Sequence, residues 1–382
     1  MKLSARSNIS PFIVMEVMAA AAAREAAGGD VLHLEVGQPS TGAPQGVLDA
    51  AHAALRDDRI GYTLALGIPE LRQRIAAHYL AQYGIRIPFE RIVVTTGSSA
   101  AFLLSFLALF DPGDRVAIAS PGYPAYRNIL QVLNIEPVLV QCAGDTGFQL
   151  TPEQLALAAR DGPLHGLLVA SPANPTGSML DEGQFRALAA HCRAHGLALI
   201  SDEIYHGITY GKTARTALEL DPDAVVINSF SKYFSMTGWR LGWMIVPETM
   251  LRAVERISQN LFISPPTLSQ RAALAAFDCH DELKRNVAVY AANRELLLRE
   301  LPKAGISRFA PADGAFYLYA DVSHLTRDSQ EFCRRMLAET GVAATPGVDF
   351  DPMGGHLAVR FSFAGSTETM AKAAARLKGW LA

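Results

Sequence analysis

Between Arg91 and Val246 short apolar runs alternate with longer amphipathic stretches, and no other feature restricts the fold as much. The apolar runs are Ile92–Thr95, Arg115–Ala119, Glu136–Gln141, Leu167–Ala170, Leu197–Ser201 and Val225–Asn228. Helical patterns separate them over Ala100–Leu109, near Tyr126–Leu133 and near Glu182–His195. Strands apolar on both faces, each followed by a helix, imply an α/β fold: a mostly parallel sheet with helices covering both sides. Arg240–Val246 reads as a further strand, with antiparallel pairing as one option.

The flanks differ in character. Ser10-Pro11 is an N-cap followed by proline at the first helical position, and Gly28-Gly29 closes that helix. Val31–Val36 alternates as a short strand and turns at Gly37-Gln38-Pro39, before helices over Val47–Arg56 and from Pro69. After Pro247, helical stretches run to Leu301, followed by strands at Ala315–Ala320 and Leu357–Phe363 and helices at Asp328–Glu339 and Thr367–Leu381. Since single cores stop growing at roughly 250–300 residues, a chain of 382 divides into a large domain and a smaller α+β domain. The large domain takes residues 45–280 and the small one 1–44 with 281–382, the boundary lying near a Phe277–Leu301 helix.

With 50% apolar and 19% charged residues the chain can form a large core, which excludes disorder. A net charge of −3 without blocks of like charge gives no footprint for nucleic acid or an anionic membrane. Cys142, Cys192, Cys279 and Cys333 lie far apart without a CxxC pair, so free thiols, mostly buried, are expected. No signal pattern and no run of spanning length is visible, and the expectation is a cytoplasmic protein. His191 and His195 stand four apart on a helix, but no carboxylate completes a ligand spacing and no metal is expected.

In a parallel sheet, ligands bind beyond the carboxyl ends of the strands. After Thr95 come Thr96-Gly97-Ser98-Ser99, small residues opening a helix whose N-terminus attracts phosphate. After Ala119 come Ser120 to Tyr126, a stiff turn presenting Tyr123. After Ala170 the extended Ser171-Pro172-Ala173-Asn174-Pro175 offers an amide. Ser201-Asp202-Glu203-Ile204-Tyr205 places an Asp at the end of a buried strand, costly unless a cation faces it. After Asn228, Ser229 to Arg240 carries Lys232, poised to form a Schiff base with a carbonyl cofactor. Each has an ordinary explanation alone; together they fit one flat, phosphorylated pyridine aldehyde. Asp202 would hold the ring nitrogen protonated, Tyr205 and Asn174 would bond its phenolic oxygen, and Arg240 would grip its phosphate.

At these residues the chain resembles the class I/II pyridoxal-phosphate-dependent aminotransferases of fold type I. The match includes Gly37-Gln38-Pro39, Asn174-Pro175-Thr176-Gly177, Asp202 to Tyr205, Ser229 to Gly242 and Arg360-Phe361-Ser362, in order over nearly the whole chain. The resemblance implies pyridoxal 5'-phosphate as cofactor, with Tyr123 stacked on its ring. Gly97, Ser98, Ser99, Ser229 and Arg240 would lie at its phosphate, and Lys232 would be both covalent anchor and acid/base. Arg360 would bind the substrate α-carboxylate, helped by Asn174 and the Gly37 backbone. Tyr62 would reach the phosphate of a neighbouring subunit, which implies a homodimer. The implied reaction moves an amino group from an L-amino acid to a 2-oxo acid by ping-pong chemistry. Phe12, Ile13, Ser99, Tyr123 and Phe316 are expected at the side-chain pocket and favour an apolar or aromatic donor, while Arg127 or Arg271 could serve a second carboxylate. Aspartate as donor, and β-elimination from the same carbanion, are the alternatives.

Ser229-x-x-Lys232 also fits the pattern of penicillin-binding acyl enzymes. Their companion elements are missing: Ser201-Asp202-Glu203 and Lys212-Thr213-Ala214 stand where Ser-Asp-Asn and Lys-Thr-Gly would be needed.

Overall fold

The computed structural model describes residues 1–382. Its helices are α1 (Ile13–Ala26), α2 (Gln45–Asp57), α3 (Pro69–Tyr83), α4 (Gly97–Leu109), α5 (Pro124–Val132) and α6 (Pro152–Ala158). Then follow α7 (Glu182–His195), α8 (Glu248–Leu261), α9 (Thr267–Ala273), α10 (His280–Glu300), α11 (Ser329–Thr340) and α12 (Thr367–Leu381). Strand β1 (Leu32–His33) precedes β2 (Ile92–Thr95), β3 (Arg115–Ser120), β4 (Glu136–Gln141) and β5 (Gly166–Ala170). Next come β6 (Ala198–Asp202), β7 (Val225–Ser229) and β8 (Gly242–Ile245). The C-terminal part adds β9 (Arg308–Phe309), β10 (Tyr317–Asp321), β11 (Val342–Ala343), β12 (Thr345–Pro346) and β13 (Ala358–Ser362).

Seven strands form one sheet in the order β2-β8-β7-β6-β5-β3-β4. All pair in parallel except β8, which runs antiparallel to β2 and β7. Successive residues of one strand enter different cores, as the two-residue period requires. Val94, Leu167 and Val226 pack with Leu71, Phe185 and Leu188, whereas Val93, Leu168 and Val225 pack with Phe102, Phe106 and Val254. Burial on both faces explains why these strands read as continuous apolar runs.

A second, antiparallel sheet has the order β12-β13-β10-β9. Its core joins Phe316, Leu318, Val359 and Phe361 to Tyr290 and Leu297 of α10 and to Met370 and Leu377 of α12. The N-terminal segment belongs to this side. Leu32 and Leu34 enter the same core, and β1 pairs in parallel with β11.

Three expectations are corrected. The first helix starts at Ile13, not at Pro11, because its first turn is capped from elsewhere in the chain. Of Val31–Val36 only Leu32–His33 pairs as strand, since the Glu35 carbonyl turns to accept from Thr345 and Arg360. The expected Phe277–Leu301 helix breaks at Cys279, and α10 begins at His280. Cys142, Cys192 and Cys333 are free and buried, as expected, and Cys279 is partly so. No helix is long and apolar enough to cross a membrane.

Candidate active site

The carboxyl ends of β3, β5, β6 and β7 open onto one cavity, roofed by α1 and closed on the far side by the small sheet. Lys232, Asp202, Tyr205, Asn174, Tyr123, Ser98, Ser99, Arg240, Gly37 and Arg360 all line it. The expected constellation is therefore brought together from strand ends far apart in sequence.

Asp202 terminates β6 and is buried. Its Oδ2 accepts from the Tyr126 hydroxyl and its Oδ1 from the Ile204 N–H at 3.0 Å. Burial pushes the carboxyl up to about 6, against the Tyr126 and Ile204 donors and the nearby Lys232 charge. The Lys232 Nζ donates to the Gly37 carbonyl at 2.5 Å. Burial lowers its amine to about 8, helped by Arg360 and Arg240 and opposed by Asp202. An uncharged, nucleophilic amine is thus accessible near neutrality.

Arg360 sits in β13 with 3% of its surface exposed. Its Nη1 donates to the Asn174 side-chain oxygen at 2.9 Å, and Nη2 to the Glu35 carbonyl and Thr345 hydroxyl. The guanidinium is sandwiched between rings, 4.4 Å from the Tyr317 centroid and 4.6 Å from that of Phe350. Its Nε has no partner. A buried donor left unmade is costly, and this one is free to meet an anion entering the cavity.

The residues present fit pyridoxal phosphate. The first turn of α4 has no side-chain cap, leaving its N–H groups for phosphate beside Ser98 and Ser99. Gly97 has φ +73°, and a Cβ there would lie 2.5 Å from Arg240 Nη2, so only glycine lets the arginine close over this end. Arg240 is itself left-handed at φ +50°. At the other end Asp202 offers a carboxylate to a ring nitrogen, and Tyr123 walls the space between, edge-on to Phe12 at 5.8 Å.

The other expected residues lie around this cavity or away from it. The Ser229 hydroxyl is buried, donating to the Leu241 carbonyl at 3.1 Å and accepting from the Ser231 hydroxyl at 2.9 Å; Ser231 rather than Ser229 lines the cavity. Tyr62 is 84% exposed and lies outside this cavity. Tyr205 bonds the Tyr317 hydroxyl at 2.7 Å. Phe12 lines the cavity, but Ile13 faces α11 and Phe316 is buried in the small-sheet core. Arg127 donates to the Asp349 carbonyl and Arg271 pairs with Asp58, so neither supplies a second cation to the cavity. Sequence reasoning missed Tyr126 and Tyr317, and Val14, Met15 and Met18 of α1.

Comparison with known proteins agrees with this geometry. Residues 29–377 match the model of the family described as aminotransferase class I and II. The valine–pyruvate aminotransferase of Mycobacterium tuberculosis is 51% identical, covering 100% of this chain and 98% of its own. A crystal structure of an aminotransferase from that organism superposes with a TM-score of 0.97 over 100% of this chain and 99% of its own, at 51% identity. Aspartate aminotransferase from Thermus thermophilus with maleate gives 0.93 at 32% identity, over 99% of each chain. A lysine, an acid and two arginines converging on the strand ends of such a sheet, with likeness along the entire chain, lead to one conclusion: this protein belongs to the class I and II aminotransferases and depends on pyridoxal phosphate.

Proposed function

We propose that this aminotransferase moves the amino group of a small or branched apolar L-amino acid to a 2-oxo acid such as pyruvate, in a ping-pong exchange. The observation that carries the reading is the division of charge within the cavity. Its cations are Lys232, Arg240 and Arg360. Lys232 belongs to the chemistry and Arg240 to the phosphate end, so Arg360 alone remains for a substrate carboxylate. The wall supplied by α1 (Phe12, Val14, Met15 and Met18) carries no charge. A side-chain carboxylate would be desolvated there without a partner, which disfavours aspartate. The valine–pyruvate activity named for the 51%-identical relative agrees in donor class.

Pyridoxal phosphate, when bound, supplies a carbonyl that carries the amino group and a ring that accepts the electron pair left at the substrate Cα. The chain's own groups do the rest. Arg360, held flat by Tyr317 and Phe350, orients the α-carboxylate with Asn174 beside it. Lys232 takes the Cα proton at Nζ and would deliver it to the former carbonyl carbon on the other side of the amino nitrogen, so that the amino group changes hands. Asp202, fixed by Tyr126, keeps a negative charge at the cavity floor. Gly97, Ser98, Ser99, Ser231 and Arg240 hold phosphate. Ser229 acts behind them by positioning Ser231.

The same reading makes the working form a cytoplasmic homodimer, in which exposed Tyr62 completes the phosphate end of its partner's cavity. It also retains the division into residues 45–280 and 1–44 with 281–382. The test is a half-reaction screen of single amino acids against the yellow holoenzyme, following bleaching of the cofactor absorbance and identifying each oxo acid. Valine and alanine should react faster than aspartate. Fastest reaction with aspartate, or release of pyruvate and ammonia without amino transfer, would overturn the proposal.

A further inference from the structure

The roof of the cavity is held by a residue with no place in the chemistry. Helix α1 opens at Ile13 without a side-chain cap from its own N-cap residue, Phe12. Four N–H groups at a helix start need partners. Two are met by one carboxylate more than three hundred residues away in sequence: the Ile13 N–H donates to Asp349 Oδ1 at 3.1 Å and the Val14 N–H to Asp349 Oδ2 at 3.2 Å. Asp349 is fully buried, and its carbonyl accepts from Arg127 at 2.7 Å. The next residue, Phe350, is one of the two rings that clamp Arg360.

The flanking residues complete the argument. Phe12, Val14, Met15 and Met18 face the cavity, while Val17 and Ala21 fasten the body of the helix to Leu337 and Ala343. The body of α1 is thus fixed by packing, and the N–H groups that open it by Asp349, with the Phe12–Tyr123 edge contact beside them. We propose that Asp349 is a positioning residue for donor selectivity: by gripping the first turn of α1 it sets the depth of the apolar wall relative to Arg360. The α-carboxylate subsite and the side-chain subsite then share one short segment, Asp349-Phe350, as their common reference. An ionised cap on a helix start suits this role, since it combines two hydrogen bonds with a charge favoured at that end.

This inference rests on the proposed apolar-donor function, and the test separates the two. Wild-type holoenzyme is first compared on valine and alanine. If it processes neither, that functional reading has failed, whatever the variants do. Given activity, Asp349→Ala should lower the valine-to-alanine ratio of kcat/KM by about tenfold, mainly through KM for valine. Alanine turnover and uptake of pyridoxal phosphate should stay within about twofold of wild type. Ile13→Pro provides the second variant. It removes one of the two N–H donors at a helix position that tolerates proline and leaves Asp349 intact, and should lower the ratio in the same direction by a smaller factor. Asp349→Asn, which keeps an accepting oxygen, should fall between wild type and Asp349→Ala. An unchanged ratio in folded, cofactor-loaded Asp349→Ala and Ile13→Pro would overturn the proposal, as would an equal loss for valine and alanine.

Discussion

Two of the cavities beside the segment from Ser229 to Arg240 contain titratable groups far from their ordinary values. One is the catalytic cavity. The other borders the same segment at Tyr233 and Phe234 and is lined also by His78, Tyr83, His206 and His280. Burial drives His206 down to about 3 and, joined by the His280 charge, His78 to about 4. The Tyr83 hydroxyl bonds His206 Nδ1 at 2.7 Å, leaving Nε2 to donate to the Ser171 carbonyl at 3.0 Å, and Tyr233 bonds His280 Nδ1 at 3.1 Å. Beneath them Glu203 is pushed up to about 8 by burial and stays protonated at neutrality. There burial favours the neutral forms, and Tyr83 with His206 and Tyr233 with His280 are hydrogen-bonded, while Glu203 Oε2 has no partner. In the catalytic cavity it has left opposite charges close together and a guanidinium nitrogen with nothing to hold. A shifted pKa marks buried chemistry in general; what sets the catalytic cavity apart is the nearness of Lys232 and Asp202 with a cationic donor of Arg360 left free for an anion.

Substitutions can break this contrast, beginning on the catalytic side. Lys232→Ala should lower transamination by about a thousandfold or more, with weakened but measurable cofactor retention; turnover near wild type would remove Lys232 from its role. Arg360→Gln should raise KM for every amino donor by about a hundredfold, since it withdraws the one cation available to the α-carboxylate. An effect confined to one donor would instead place Arg360 at the side-chain subsite.

On the histidine side the effects should fall on stability. Unfolded Glu203 loses its proton near the ordinary carboxylate value of about 4.3, whereas the folded chain keeps it up to about 8. The folded state therefore binds the extra proton, and stability from this group is full at low pH and is lost as pH rises between those values. Thermal unfolding of Glu203→Gln should lack this loss, so that its Tm gains on wild type between pH 5 and pH 8; a constant gap would show that Glu203 ionises normally. Smallest of all, His280→Asn should change kcat/KM by less than about twofold, and a larger loss would draw the second cavity into catalysis.

The large sheet and the strand-end residues were legible in the sequence because both obey local rules. Doubly buried strands are continuous apolar runs, and an ionisable residue directly after one has few reasons to be there. The missed residues broke no local rule. Tyr126 and Tyr317 look like core aromatics, and only the fold shows their hydroxyls on Asp202 and Tyr205. Ser229 has the right chemistry, yet its hydroxyl turns back to Leu241 and hands the cavity wall to Ser231. The Ser10-Pro11 signal lost to a cap supplied by Asp349, a contact no window of sequence contains. The contrast between Arg360, with Asn174 at its tip, and Arg127, which bonds a backbone carbonyl, is likewise tertiary.

The ring-clamped guanidinium of Arg360 has one more consequence. A planar cation gripped on both faces can offer only its edge, so it fixes the direction as well as the location of a carboxylate. The roof of α1 fixes a second direction from the same substrate carbon, and the amine of Lys232 a third. Three fixed directions at a tetrahedral centre leave its hydrogen pointing at the lysine in one mirror form and away in the other. On the proposed roles of Arg360, α1 and Lys232, handedness would be selected by the backbone that carries them.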